Sequence, residues 1–360
     1  MSADDRIHLI VLFGGQSAEH DVSCTSAAHV LRAADPARYR ITPVGIGRDG
    51  RWSIASQAQA ALAEGAEALP GRLDPAGEHV SPTPLLAGAT TEGRTVVVPL
   101  LHGPLGEDGT VQGLLELLDL PYVGSGVLSS ALCMDKAMAK RVAAAAGIPQ
   151  ARYRAFHDHE RTPGLASRLV DELGLPLFVK PANMGSSIGV SKARSLDELD
   201  AAIDLALGYD EWVVVEEAVT GREIEVAVLG NLEPRASVPG EVVPGADFYD
   251  YADKYLDDGS RTLIPAPLPD DVAERIRELA VDAFRALRCE GLARVDFFYE
   301  EGPDGRGALL NEVNSIPGFT PISMYPKMWL ASGMTYAQLI DELVALALER
   351  HARRRRNTAR

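Results

Sequence analysis

The chain has 360 residues, 46% of them hydrophobic and 24% charged, the composition of a soluble globular protein of two or three domains. Its net charge of −16 excludes a surface built to coat nucleic acid, since phosphate contacts need clustered Lys and Arg. The opening apolar run, Ile7 to Phe13, is too short to cross a bilayer and is followed by no small-residue cleavage pattern. A cytoplasmic protein without nucleic-acid or membrane partners is therefore expected. Cys24, Cys133 and Cys289 are far apart and lack metal-ligand or CxxC spacing, which predicts reduced, buried thiols.

In chain order, Ile7 to Phe13 reads as a buried strand broken by Gly14-Gly15, and Glu19 to Leu31 as a helix. Strand, glycine turn and helix open a parallel α/β unit, continued by strands at Ile41 to Ile46, Thr95 to Leu101 and Pro121 to Val123. Residues 52–94 are rich in Ala, Gly, Pro and Glu and poorly patterned, and read as an insertion of short helices and loops. Val111 to Leu118 is a short amphipathic helix. Ser129 to Ala146 reads as one helix, stopped by Gly147 and Pro149. An α+β unit follows: strands at Arg152 to Phe156, Leu177 to Lys180 and Trp212 to Glu217, with helices ending at Leu173 and spanning Leu196 to Leu207. Its boundary is placed near Thr220-Gly221. The last third carries strands at Glu223 to Leu229, Leu292 to Tyr299 and Ala308 to Val313, and helices at Asp270 to Leu287 and Tyr336 to Leu348. Arg353 to Arg356 and Arg360 then read as a solvated basic tail.

Five segments carry chemistry. Arg294-Val-Asp296 and Asn311-Glu312-Val-Asn314 flank a turn-rich loop and read as a hairpin. Symmetry about Asp304 pairs Asp296 with Glu312 and Arg294 with Asn314, all on one face. Two carboxylates and an amide oxygen converging there suit Mg²⁺; a solvated polar face is the alternative. Lys180 is delivered by a strand into the Gly/Ser loop Met184 to Gly189, which can wrap phosphate oxygens or be a plain surface turn. It is not a Walker A loop, because no Lys follows a Gly directly. Glu216, Glu217 and Glu223 lie where an apolar strand meets the proposed domain boundary, either a nucleotide cleft or a hinge. The loop His102 to Gly109 precedes a helix, whose N-terminus favours an anion. In Asn314 to Pro326, Pro and Gly hold the backbone irregular beside the carboxylates, where the Gly318 N–H could serve an oxyanion. Lysine is scarce, six residues against 29 Arg, so each one marks a position suited to a specific task.

Taken together, and in this order along nearly the whole chain, these segments resemble the D-alanine–D-alanine ligases of the ATP-grasp superfamily. The motifs are Gly14 to Ser23, His102 to Gly109, Gly124-Ser-Gly126 with Met134-Asp-Lys136, Lys180 to Gly189, Asp253-Lys-Tyr255, Arg294-Val-Asp296, Asn311 to Asn314, and Pro317 to Thr320 with Ser323-Met-Tyr-Pro. The resemblance implies an α/β, ATP-grasp fold of three domains: residues 1–126 with a Rossmann-like parallel sheet, 127–219, and 220–350, followed by the basic tail 351–360. It implies ATP and two Mg²⁺ ions (Mn²⁺ as substitute), two D-alanine substrates, a homodimer, and a role in peptidoglycan precursor synthesis. By the same resemblance Asp296, Glu312 and Asn314 hold metal, Lys136, Lys180, Ser187 and Lys254 contact phosphates, Glu216 and Val219 face adenine, and Glu223 faces ribose. Glu19 and His102 take the first D-alanine. Glu19, Ser186 and Tyr255 form a triad tying the closing loops. Arg294 and Gly318 stabilise an oxyanion, and Ser323 and Met324 hold the second D-alanine. The rivals are a ligase using D-lactate or D-serine as second substrate, and a nucleotide-binding protein without ligase activity. Tyr255 disfavours D-lactate, because the lactate-using members typically carry Phe there.

Overall fold

A computed structural model describes residues 5–89, 94–243 and 261–354. Fifteen strands are described: β1 Ile7–Gly14, β2 Tyr39–Ile46, β3 Trp52–Ala55, β4 Gly77–Val80, β5 Thr95–Pro99, β6 Tyr153–His157, β7 Leu177–Pro181, β8 Ser191–Ala193, β9 Trp212–Glu217, β10 Arg222–Gly230, β11 Arg235–Ala236, β12 Gly240–Val243, β13 Arg261–Leu263, β14 Gly291–Glu300 and β15 Gly307–Asn314. They form three sheets, ordered β4-β3-β2-β1-β5, β6-β9-β7-β8 and β13-β12-β10-β14-β15, with β11 paired to β10.

In the first sheet β1 lies parallel to β2 and β5, as the strand–glycine–helix opening predicts. Its unbroken apolar run follows from burial on both faces. Leu9, Val11 and Phe13 point into one core, Ile10 and Leu12 into the other. The 52–94 segment departs from expectation. It contains helices at Ser56–Glu64 and Pro82–Ala89, but also β3 and β4, which extend the sheet antiparallel at its edge. Strands of four residues, one of them largely exposed, are too short to show a period. Pro121 to Val123 contributes an isolated bridge, Tyr122 to Val97, rather than a strand.

The second and third sheets are antiparallel throughout. The helix expected over Ser129 to Ala146 is two helices, Val127–Met134 and Lys136–Ala145. Asp135 breaks them and caps the second, its carboxylate accepting the Met138 N–H at 2.9 Å. Cys133, Ala139 and Ala143 of these helices share a core with Ile224, Val226, Val295 and Phe297 of the third sheet. All three cysteines are free and buried.

The start of the basic tail is the clearest correction; Arg355, Arg356 and Arg360 lie outside the described residues. The last helix runs Tyr336–Arg354, well past Leu348. Arg353 pairs with Glu290, Arg354 with Glu116 and Glu290, and His351 with Asp119. The Arg350 guanidinium is buried, lies 3.9 Å from the centre of the Tyr122 ring and donates to the Tyr122 carbonyl at 3.1 Å. These contacts clasp residues 116–122 of the first unit to the start of β14. Charge counting saw a solvated run because the partners, Glu116, Asp119 and Glu290, lie more than sixty residues away.

Arg350→Ala should cost about 1.5–3 kcal/mol of stability, the range for a hydrogen bond made by a charged group. Truncation after Arg354 should change it by less than about 0.5 kcal/mol. Chemical denaturation of the two variants checks this; equal effects would contradict the clasp.

Candidate active site

A cleft of about 340 Å³ opens between the second and third sheets, within the range of small-ligand sites. Among its lining residues are Lys136, Lys180, Ser186, Ser187, Glu216, Val219, Glu223, Arg294, Asp296, Glu312 and Asn314. Segments up to 178 residues apart are thus gathered on one surface.

The hairpin β14–β15 supplies the acidic wall. Arg294 pairs with Asn314 and Asp296 with Glu312, the expected register. Beyond Asp296 the register slips by one, so Phe297 faces Leu310 and Asn311 is the extra residue of a bulge. The symmetric pairing expected toward the turn is therefore wrong on that side. The bulge has a use: the Asn311 side-chain amide oxygen Oδ1 accepts from Lys180 Nζ at 3.3 Å across the cleft. Val295, Phe297 and Val313 point the other way, into the core.

Arg294 grips Asp296 with both forks, Nε to Oδ1 at 2.8 Å and Nη2 to Oδ2 at 2.6 Å. It also pairs with Glu225 at 3.1 Å. Although burial opposes the charge, Asp296 and Glu225 hold the guanidinium well above its ordinary pKa. Asn314 Nδ2 donates to Asp296 Oδ2 at 2.9 Å. Glu225 was missed in the sequence, but its signal was there. Glu223 and Glu225 alternate with buried Ile224 and Val226, which puts two acids on the cleft face of β10.

Glu216 lines the cleft, yet its carboxylate is taken up by two ammonium groups, Lys180 at 3.1 Å and Lys140 at 3.3 Å. Burial raises its pKa, but Lys140 and Lys180 outweigh this and hold it below the usual carboxylate range. Its side chain is a counter-ion to both lysines at the wall of the cleft. Lys140 is only 3% exposed; the scarcity of lysine marks it without a role, and its position four residues after Lys136 on one helix face is the further signal. Burial lowers the pKa of both Lys136 and Lys140. Lys136 Nζ donates to the Met184 carbonyl at 2.6 Å, tying the helix to the Gly/Ser loop.

In that loop Ser186 and Ser187 have φ of 49° and 58°, left-handed values that non-glycine residues rarely hold. The Ser186 hydroxyl is buried with no hydrogen-bond partner among the described residues. Its expected link to Glu19 is not made. The two are nonetheless close: a Cβ on Gly185 would stand 2.8 Å from Glu19 Oε2. Glu19 lies in a second pocket, with Ser17, Gly185 and Ile188, which adjoins the cleft through Met184 and Gly185.

His102 is buried, and its Nδ1 lies 3.0 Å from the Ile316 carbonyl. A carbonyl only accepts, so Nδ1 carries the proton. Burial lowers the pKa and keeps the ring neutral, leaving Nε2 as an acceptor without a partner among the described residues. Neighbouring Glu107 was not singled out. Burial, then the charge of Glu19, push its carboxyl up to about 8, while the Gly103 N–H accepted at 2.8 Å pulls it down.

The remaining expectations fall away from the cleft. Ser323 Oγ accepts the Thr320 N–H at 3.0 Å, and a Cβ on Gly318 would meet that oxygen at 2.8 Å. Met324 is turned into the core, its methyl against Gly240, and lines neither pocket. Lys254 and Tyr255 lie outside the described residues.

Comparison with known proteins decides what this assembly is. A family profile described as D-ala D-ala ligase N-terminus matches residues 8–125, and one described as D-ala D-ala ligase C-terminus matches residues 142–345. The chain belongs to the D-alanine–D-alanine ligase family. It is 48% identical to D-alanine–D-alanine ligase A of Chromobacterium violaceum over 96% of both chains. It is 49% identical to the D-alanine–D-alanine ligase of Deinococcus radiodurans over 95% of this chain and 98% of that one. The solved D-alanine-D-alanine ligase from Coxiella burnetii superposes with a TM-score of 0.79 at 38% identity, covering 97% and 96% of the two chains. The VanG D-Ala:D-Ser ligase from Enterococcus faecalis gives the same TM-score at 35% identity, covering 95% and 99%. Equal superposition on ligases with different second substrates shows that the family fold does not by itself choose that substrate. As expected from the resemblance, this is an α/β ATP-grasp protein whose family uses ATP.

Glu107 generates a pH prediction. Its carboxyl is raised in the folded state from 4.5 to about 8. The folded protein thus holds a proton that the unfolded chain releases, and stability is lost as pH rises from about 4.5 toward 8. Glu107→Gln removes this loss. The difference in thermal midpoint between variant and wild type should grow from pH 5 to pH 8 and then level off. A difference independent of pH would contradict the assignment.

Proposed function

We propose that the chain joins two D-alanine molecules with ATP, by way of a D-alanyl phosphate, to supply D-alanyl-D-alanine for peptidoglycan precursors. The observation that carries this reading is the single cleft in which the Asp296–Glu312 pair faces the Lys140–Glu216–Lys180 network.

The acidic hairpin fits a hard dication. Two facing carboxylates and an amide are the donor chemistry Mg²⁺ takes, and a carboxylate already accepting from Arg294 keeps lone pairs for a metal. Asp296, Glu312 and Asn314 would hold two Mg²⁺ ions, or Mn²⁺ in their place. Bound there, the ions would screen the triphosphate and polarise its terminal phosphoryl group. The chain's own residues supply the rest. Lys136 and Lys180 offset phosphate charge in a cleft where water screens weakly. Ser187 and the strained Ser186 place the Gly/Ser loop over the phosphates, while Val219 and Glu223 face the nucleoside. Lys254 is assigned to the terminal phosphate from the sequence motif alone.

The first D-alanine is held by its ammonium between the Glu19 carboxylate and His102 Nε2. Its carboxylate oxygen takes the γ-phosphoryl group and ADP leaves. The amine of the second D-alanine, having lost a proton, attacks the acyl carbon; the C–O bond to phosphate breaks and inorganic phosphate departs. Arg294 and the Gly318 N–H stabilise the tetrahedral oxyanion. Ser323 with Arg294 takes the second carboxylate, once released from Thr320. Met324 would need to turn out of the core to reach the methyl group. Tyr255, whose hydroxyl Phe lacks, favours an amine over D-lactate as second substrate. The enzyme is proposed to act as a homodimer in the cytoplasm. No helix among the described residues is long and apolar enough to cross a membrane.

Phosphate release from ATP, with D-alanine, L-alanine, D-lactate and D-serine offered in turn, tests the substrate. D-alanine alone should support rapid turnover; equal release without amino acid would refute ligation. Glu312→Gln should abolish ligation without unfolding the protein, and near-normal turnover would sink the two-strand metal site. Arg294→Lys keeps the charge and loses the planar fork, so kcat should fall by at least about a hundredfold, as when oxyanion donors are lost. An unchanged kcat would remove Arg294 from the oxyanion.

A further inference from the structure

On the central sheet β6 ends at His157, and a single tight turn, Asp158–Glu160, follows. This turn brings three donor atoms together. His157 Nδ1 lies 2.5 Å from Asp158 Oδ1 and 2.9 Å from His159 Nδ1, and one donor atom of each residue falls within 4.8 Å of the others. Donors bonded to one ion at about 2.0–2.2 Å lie within roughly 4.4 Å of each other, a limit the two contacts at His157 Nδ1 satisfy. We propose that His157, Asp158 and His159 form a binding site for one borderline transition-metal dication of the Zn²⁺ class, separate from the nucleotide cleft.

His157 Nδ1 faces the Asp158 carboxylate oxygen at 2.5 Å and the His159 ring nitrogen at 2.9 Å, so either a proton or a dication can bridge these atoms, and the two are separated by direct metal titration.

The surroundings are those of a supported ligand. On the far side of the ring, His157 Nε2 is 3.6 Å from Glu211 Oε2. A carboxylate behind a ligating imidazole favours the tautomer that leaves Nδ1 to the ion. The Asp158 N–H donates to the Glu211 carbonyl at 2.8 Å, so this carboxylate is anchored to the same turn. Trp212 packs edge-on to the His157 ring at 5.3 Å and limits its rotation. His157 is partly buried while Asp158 and His159 are exposed, which gives an ion a way in and leaves room for water to complete the coordination. Two imidazoles and one carboxylate select Zn²⁺, Co²⁺, Ni²⁺ or Cu²⁺ over Mg²⁺, in contrast to the all-oxygen hairpin. The site is also far along the strand from the cleft: in the β6–β9 pairing His157 opposes Trp212, whereas Glu216 opposes Tyr153 at the other end.

The test uses the untagged full chain, stripped with EDTA and dialysed, titrated with Zn²⁺ and separately with Co²⁺ in millimolar Mg²⁺. One equivalent should bind, and Mg²⁺ should not compete. Co²⁺ should quench a fluorescence component that Trp212→Phe removes. His159→Ala and Asp158→Asn should each weaken binding at least about tenfold, and Glu211→Gln comparably, the effect of losing a supporting carboxylate. In Mg²⁺ alone, ligation by His159→Ala should match the wild type. Absence of binding below about millimolar Zn²⁺, wild-type affinity in His159→Ala and Asp158→Asn, or loss of binding in Glu312→Gln instead would each overturn the proposal.

Discussion

The register of the β14–β15 hairpin is the constraint on which the rest of the site depends. Side chains alternate across a strand, so a slip of one residue would send Glu312 to the face opposite Asp296 and bury it among Val295, Phe297 and Val313. Those apolar residues hold the register, because only one pairing places all of them in the core. The bulge at Asn311 then spends the extra residue where it is useful, turning an amide toward Lys180. Core packing on one face of two strands thus fixes the chemistry on the other.

That hairpin must also stand correctly against the loops of the first domain. β14 begins directly after Glu290, the residue gripped by Arg353 and Arg354, and Ser125 Oγ accepts the Glu290 N–H at 3.2 Å. Close backbone approach continues the seam: a Cβ on Gly291 would stand 3.1 Å from Gly124. At the other end of the site, His102 reaches the Ile316 carbonyl and Ser26 accepts the Phe319 N–H at 3.0 Å. The residues proposed for the first substrate and those proposed for phosphate and oxyanion are therefore held in one frame from both sides.

The sequence was most informative where a local pattern and the packing agree. The β14–β15 face, the helix Leu196–Leu207 and β9 follow directly from alternation and helical period. It was least informative where partners come from afar. Nothing near Lys140 announces Glu216, nothing near Glu225 announces Arg294, and nothing near Arg354 announces Glu116. β3 and β4 were missed because edge strands of four residues bury too little to imprint a period. Motif order, by contrast, identified the family, because the motifs mark the loops the fold brings together.

The cleft gathers Lys136, Lys180 and Arg294 against Glu216, Glu225, Asp296 and Glu312, with Lys140 behind Glu216, in a partly desolvated space. Such groups remain charged only because they are paired, and they meet a polyanion and its counter-ions without reorganising. The central claim is that this arrangement activates a carboxylate by phosphorylating it. Running the reaction with ATP and D-alanine carrying ¹⁸O in its carboxylate tests it most directly. With both carboxylate oxygens labelled, the account predicts one ¹⁸O in each inorganic phosphate released and one ¹⁸O retained in the amide carbonyl of the dipeptide. Unlabelled phosphate formed alongside dipeptide would contradict it.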